Sequence, residues 1–330
     1  QRCLDEGLVG GESFAVDASL IQADANKQRS LPADKWNIDN LPKDAGRSTR
    51  EYLETLNDTA FGAASDKKPK FISPCDPASQ WTGALRGPAF FAYATNYLID
   101  TDNAVIMDVE GTRAIRQAEV GSVRTMIDRV SDRFGLEPNK LIGDSAYGAA
   151  DNLNWLVNIR DIEPHVPVFD NSRRTDGTFS RSDFTFEKQN NVYICPTGKR
   201  LSSSGRVNSD NFYRYLASTY DCGPCPLKPK CCPKTPQRKI PRHIHEDARD
   251  VARSILKTNE YETSRRNRKK VEMLFAHLKR ILKLGRLRLR RPNGAKDEFL
   301  LAVTAQNLRK LAKLRYKPPP DITNMHPKSV

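Results

Sequence analysis

Three short stretches place a carboxylate where chemistry could use it: "FAVDAS" with Asp17, "LIGDSAYG" with Asp144, and "RNRKKVEMLFAHLK" with Glu272. The first two acids close short strand-like runs and are followed by small residues, which leave room for a ligand. In an open α/β sheet, ligands gather beyond the carboxyl ends of the strands. Two carboxylates facing each other there repel unless a cation lies between them. Mg²⁺ suits such oxygen donors and needs few protein ligands when phosphate supplies the rest. Glu272 borders a helical stripe of Val271, Leu274, Phe275, Leu278 and Leu282. Arg268 lies four residues before it and Lys279 seven after, so all three share one side of the helix. Alone, Glu272 reads as a surface ion pair. Flanked by cations beside a buried seam, it could instead complete a metal site, with the cations on phosphates.

The elements that must hold these acids follow from the apolar patterning. "ESFAVDASLI" predicts a strand with Phe14 and Val16 on one face and Ala15 and Asp17 on the other. "PAFFAYATNYLID" and "NAVIMDVEG", separated by "TDN", predict a hairpin. A helix over 113–135 follows, with Gly135 as its stop. "NKLIGD" is a short strand, "AADNLNWLVNIRD" a helix with Leu153, Leu156 and Val157 inward, and "EPHVPVF" a last strand. A helix is expected over 48–61, and "SPCDPASQW" is a turn that includes Asp76. Asp24 reads as a surface acid, and Asp100 and Asp102 as hairpin-end residues. An antiparallel ribbon feeding a βαβ pattern is the order of an RNase H-like α/β fold, a mixed sheet flanked by helices.

The expected organisation is a core over 1–169 with a polar excursion at about 22–70. A Cys-containing insert over 170–247 follows, too polar to build its own core. C-terminal helices over 248–316 complete the core, and 317–330 form a disordered tail.

The chain has 330 residues, 38% hydrophobic and 28% charged, ordinary for a globular protein. No apolar run reaches the length of a membrane span, no signal peptide is visible, and a cytoplasmic, nucleoid-associated protein is expected. The chain opens at Gln1, directly at "QRCLDEGLVGGESFAVDAS", and reads as a fragment lacking an N-terminal segment. From Arg238 to Lys317, 24 Lys and Arg face 8 Asp and Glu. That surplus exceeds the whole net charge of +14, so the rest is near neutral. Such asymmetry points to nucleic acid. The five His show no catalytic or metal-protease spacing, and no Gly-rich phosphate loop implies ATP.

Five of the seven Cys lie between 195 and 232. In "ICPTG" and "DCGPCPLKPKCC", Cys195, Cys222, Cys225 and Cys231 have a spacing that could hold a structural Zn²⁺, with Cys232 beside them. Ordinary buried thiols are the alternative.

The three acids in this order, with an insert between the second and third, resemble the DDE transposases of bacterial insertion sequences. "GRLRLRR" followed by "EFLLAVTAQNLRKL" resembles the end of such proteins. The resemblance runs from about Phe14 to Leu314, and its most specific piece is Arg268-x3-Glu272-x6-Lys279. The family signature often has Tyr three positions before that Arg. Here Arg265 stands there, with Tyr261 four residues earlier. The resemblance implies an RNase H-like core in which Asp17, Asp144 and Glu272 hold two Mg²⁺ or Mn²⁺ ions about 4 Å apart. It implies metal-dependent cleavage at element ends and strand transfer, with self-association on DNA and no small-molecule cofactor. A helical DNA-end-reading domain would precede Gln1. Arg265, Arg268, Lys279, Arg286, Arg288 and Arg290 are the expected DNA contacts. The rival readings are an inactive relic that only binds DNA, and an RNase H-like nuclease that cuts without joining.

Overall fold

The computed structural model describes residues 1–36, 46–54, 69–83, 87–170 and 174–315. It divides into two units, Gln1–Ile142 with Arg265 onward, and Gly143–Ser264. The fold is mixed α/β.

The first unit is built on strands β1 (Ser13–Gln22), β2 (Gln80–Gly83), β3 (Ala89–Asp100), β4 (Val105–Arg113) and β5 (Lys140–Ile142). β3 is the spine. β1 runs antiparallel along one edge of it, with Asp17 opposite Tyr97. β2 and β4 share its other edge in tandem, Gln80 opposite Ala92 and Tyr93 opposite Arg113. β5 lies beyond β1 and is parallel to it, with Ala15 opposite Ile142. The expected hairpin is therefore β3–β4, and the aromatic and β-branched content of its strands suits a doubly covered sheet.

Alternation along β1 divides the core. Ala15 joins Tyr93, Tyr97, Ile99 and Ile142 in one apolar cluster. Helices α5 (Asn259–Arg280) and α6 (Arg291–Arg315) cover that face through Val271, Phe275, Leu278, Phe299 and Val303. Helix α2 (Arg116–Phe134), with Val123, Met126, Ile127 and Val130 buried, packs on β3 and β4 outside that cluster. It ends at Gly135 in the left-handed region, φ 64°, as its stop residue predicts. Arg129 of α2 bridges Asp108 and Glu110 of β4 at 2.7 and 2.5 Å.

Two neighbouring amides fasten α6. Gln306 is buried, accepts the Tyr97 hydroxyl at 2.9 Å and donates to the Leu274 carbonyl of α5 at 2.7 Å. Asn307 takes both backbone groups of Ile106, accepting from its N–H at 2.9 Å and donating to its C=O at 2.8 Å. "AQN" is thus a clamp between sheet and helices. Helix α1 (Arg47–Glu54) covers part of the predicted helix over 48–61, and residues 55–61 lie outside the described residues, as does the tail from 316.

The second unit holds β6 (Glu163–His165), helix α3 (Ala150–Asn154) and helix α4 (Glu246–Ile255). The predicted helix over 149–161 is α3 followed by one π turn, Trp155–Ile159. Trp155 is buried with Leu153 and Leu156, whereas Val157 is half-buried, because the wider turn rotates the inward face. The expected strand over 163–169 is shortened to β6.

The insert does have a core, contrary to the expectation from its polarity. Strands β7 (Thr185–Glu187), β8 (Val192–Ile194), β9 (Arg200–Val207), β10 (Phe212–Ala217) and β11 (Lys239–His243) form an antiparallel sheet in the order β11-β10-β9-β8-β7. Phe184, Tyr193, Leu201, Tyr215 and Ile240 pack with Cys231 and Cys232. Tyr193 meets Phe186 and Tyr215 with ring centroids at 5.0 and 5.1 Å. A few large aromatics supply the apolar area that composition averaged away.

Candidate active site and DNA interface

Asp17 sits in mid-β1, half-buried, with Oδ1 accepting the Ala18 N–H at 2.8 Å. It shares a face with Ala15, the face that α5 and α6 cover. Its cross-strand partner Tyr97 lies against Phe275 of α5, ring centroids 4.6 Å apart. Phe275 is three residues beyond Glu272, so it stands one turn along the helix.

The rotation of α5 settles which flank carries Glu272. Lys270 donates to the Thr101 carbonyl, and His277 lies against Gln306 and Arg309 of α6. At 100° per residue, Arg268, Glu272 and Lys279 fall within about 40° of one another on the side away from Lys270 and His277. Glu272 accepts from Arg268 Nη2 at 3.2 Å and is half exposed. The expected sharing of one helix side by Arg268, Glu272 and Lys279 agrees with this geometry.

Asp144 belongs to the second unit. It caps the turn Ser145–Tyr147, with Oδ1 accepting the Ala146 N–H at 2.7 Å. Asn152 donates to the Tyr147 carbonyl at 2.8 Å and holds the turn from behind. A Cβ on Gly148 would stand 2.0 Å from the Pro167 carbonyl oxygen and 2.7 Å from the Phe169 nitrogen. Only glycine lets those backbones approach. "DSAYG" therefore presents a fixed carboxylate on a small-residue turn.

Of the expected DNA contacts, Arg286 and Arg290 both pair with Asp24, at 2.7 and 2.8 Å. Asp24 is no idle surface acid. It ties the segment after α5 to the end of β1, and the two guanidiniums, acting against partial burial, hold its carboxyl below the usual range. Arg288 is exposed, and its backbone N–H donates to Glu298 at 2.6 Å. Arg265 is exposed at the start of the α5 segment in the first unit.

Asp76 is in a turn, as expected, but its side chain is wholly buried. It accepts the Tyr93 hydroxyl at 2.5 Å and the Arg291 N–H at the start of α6 at 3.1 Å. Burial pushes its carboxyl up to about 6, against the opposing pull of these bonds and of Arg291 and Arg290.

Among the described residues, one group places three metal-ligating atoms within 4.8 Å of one another: Glu163, His165 and Glu260. The His165 ring is buried, with Nδ1 2.8 Å from the Ser264 hydroxyl and Nε2 3.5 Å from Glu163. The histidines, which spacing left scattered, include one set between carboxylates. Only Glu163-x-His165, one face of a strand, hinted at it in the sequence.

The cysteines behave differently. Cys195, Cys222, Cys225 and Cys231 line one small cavity, yet no three of their sulfurs come within 4.8 Å of one another. Cys231 and Cys232 are buried members of the insert's core. Burial, reinforced by the neighbouring Cys232, pushes the Cys231 thiol up to about 11.

Residues 194–312 match the family described as the transposase DDE domain. That stretch is similar to the DDE domain of transposases, which supports a DDE-type transposase. The matched region holds Arg268, Glu272 and Lys279, whereas Asp17 and Asp144 lie outside it. No curated protein and no solved structure matched the chain. Transposases act on DNA, and this domain's basic surplus falls largely within the same stretch. Among the described residues no helix is long and apolar enough to cross a membrane.

Proposed function

We propose that the chain is a transposase that cuts DNA at the ends of a mobile element and joins those ends to a target, using Asp17, Asp144 and Glu272 as its acids. The observation that carries the reading is the link from Asp17 through Tyr97 and Phe275 to the helix bearing Glu272. The parallel register supports Asp144 as the second acid. Ala15 is opposite Ile142, and Asp144 follows Ile142 by two residues as Asp17 follows Ala15. An antiparallel ribbon continued by a parallel strand also supports the RNase H-like assignment.

The donor set fits hard divalent cations, because all three side chains offer carboxylate oxygen. Mg²⁺ or Mn²⁺ held there would neutralise phosphate charge and lower the pKa of the attacking oxygen. The chain's own residues prepare that site. Backbone N–H groups of Ala18 and Ala146 fix one oxygen each of Asp17 and Asp144. Arg268 orients Glu272 and, with Lys279, offers cations to the scissile phosphate. No covalent bond to the protein is needed for water or a DNA 3′-hydroxyl to displace the leaving oxygen.

The test is single-turnover cleavage of DNA carrying the element's flanking ends, with and without Mg²⁺. Asp17→Asn, Asp144→Asn and Glu272→Gln should each lower the rate by at least about 10²-fold while binding persists. Binding with no cleavage by the wild type would favour an inactive relic. Cleavage without joining would favour a nuclease.

A further inference from the structure

The groove between α5 and α6 concentrates cations on the opposite flank of α5 from Glu272. Lys270 and His277 line it from α5, and Arg309, Lys310 and Lys313 from α6, around a cavity of about 430 Å³. At the i, i+7 spacing of the first pair and the i, i+3 and i, i+4 spacings of the others, each set points one way. Asp102 is the sole acid in the lining, and its carboxylate lies against Gly10.

Several basic side chains elsewhere are matched. Arg129 has Asp108 and Glu110, Arg253 has Glu246 and Asp170, and Arg286 and Arg290 have Asp24. Among the described residues Arg309, Lys310 and Lys313 make no such ion pair. Burial first, then the charges of Lys313 and Lys270, lower the Lys310 ammonium. Burial, then Arg309 and Lys313, lower His277 in the same way. Like charges held together in a concavity repel, and a polyanion relieves that repulsion.

We propose that this groove is a second DNA-binding site, which grips the phosphate backbone of duplex DNA away from the reacting acids. The proposal rests on the transposase reading for the identity of the polyanion. It also moves the main DNA grip from Arg286 and Arg290, which Asp24 partly neutralises, to Lys270, Arg309, Lys310 and Lys313. The grip is sequence-independent, since most of the groove's cations are lysine point charges that suit phosphates and carry no base readout.

The experiment is fluorescence anisotropy of the full chain on duplex DNA, in EDTA, over a range of KCl. Lys270→Gln/Lys310→Gln/Lys313→Gln should flatten the dependence of log affinity on log salt by about three units, one for each phosphate deprived of its cation. Affinity at low salt should fall about tenfold or more for all DNA sequences alike. Arg286→Gln/Arg290→Gln should change the slope less. A thermal melt confirms folding, and Lys310→Gln/Lys313→Gln, both on α6, serves if the triple variant is unstable. An unchanged slope in a wild type that binds DNA would overturn the groove and leave the transposase reading standing. A wild type that binds no DNA would overturn both. A variant that loses RNA binding but keeps duplex DNA would overturn the choice of DNA.

Discussion

At the scale of single residues, Asp76 is the most exposed to a solution test. Its folded pKa of about 6 stands above the ordinary 3.8, with burial the largest cause. The folded state therefore keeps a proton between about pH 4 and 6 that the unfolded chain releases. Stability contributed by this group is full below that window and is lost as pH rises through it. The loss is about 3 kcal/mol for a shift of this size. Asp76→Asn cannot titrate. Urea unfolding of both proteins from pH 4 to 7 should show the gap moving in the variant's favour as pH rises. A gap independent of pH would mean that the carboxyl ionises in the fold as readily as in the open chain. The same residue shows where sequence reading stops. "SPCDP" announces a turn, because Pro and Asp favour one. Nothing local announces that the carboxylate will meet Tyr93 and a backbone N–H more than two hundred residues away. The proposed acids drew notice for another reason: Asp17 falls within the strand pattern of β1, and Glu272 borders the buried stripe of α5.

At the scale of elements, close backbone approach is the feature that composition conceals. Gly148 lies where any Cβ would strike the Pro167 carbonyl and the Phe169 amide. Backbone cannot yield as a side-chain tip can, so Gly148→Ala should cost about 1–3 kcal/mol. Thermal unfolding should register it as a clear drop in Tm. An unchanged Tm would show that the turn after Asp144 is not packed as described. The hairpin β3–β4, helix α2 and its Gly135 stop were readable, since period and punctuation both pointed to them. The insert was misjudged for a physical reason. Its strands are short and polar on one face, and its core consists of a few aromatics that an average over the segment dilutes. The π turn after α3 also escapes a reading that assumes 3.6 residues per turn.

At the scale of the whole chain, the local charge surplus is enough by itself to point to DNA. It does not say which cations are already satisfied. Ion pairing makes that distinction, binding Arg286 and Arg290 to Asp24 and leaving the α5–α6 groove as the concentrated positive field. Spacing suggested zinc or ordinary buried thiols for four cysteines, and geometry brings together a further group that could hold a metal, Glu163, His165 and Glu260. The proposed catalytic acids and this second group now compete for the same ion. Anomalous diffraction from crystals of the full chain with DNA, soaked in Mn²⁺, separates them in one measurement. The account predicts a Mn²⁺ peak bounded by the carboxylates of Asp17, Asp144 and Glu272, adjacent to a DNA phosphate. Density for Mn²⁺ only at Glu163, His165 and Glu260, with Glu272 turned to solvent, would contradict it.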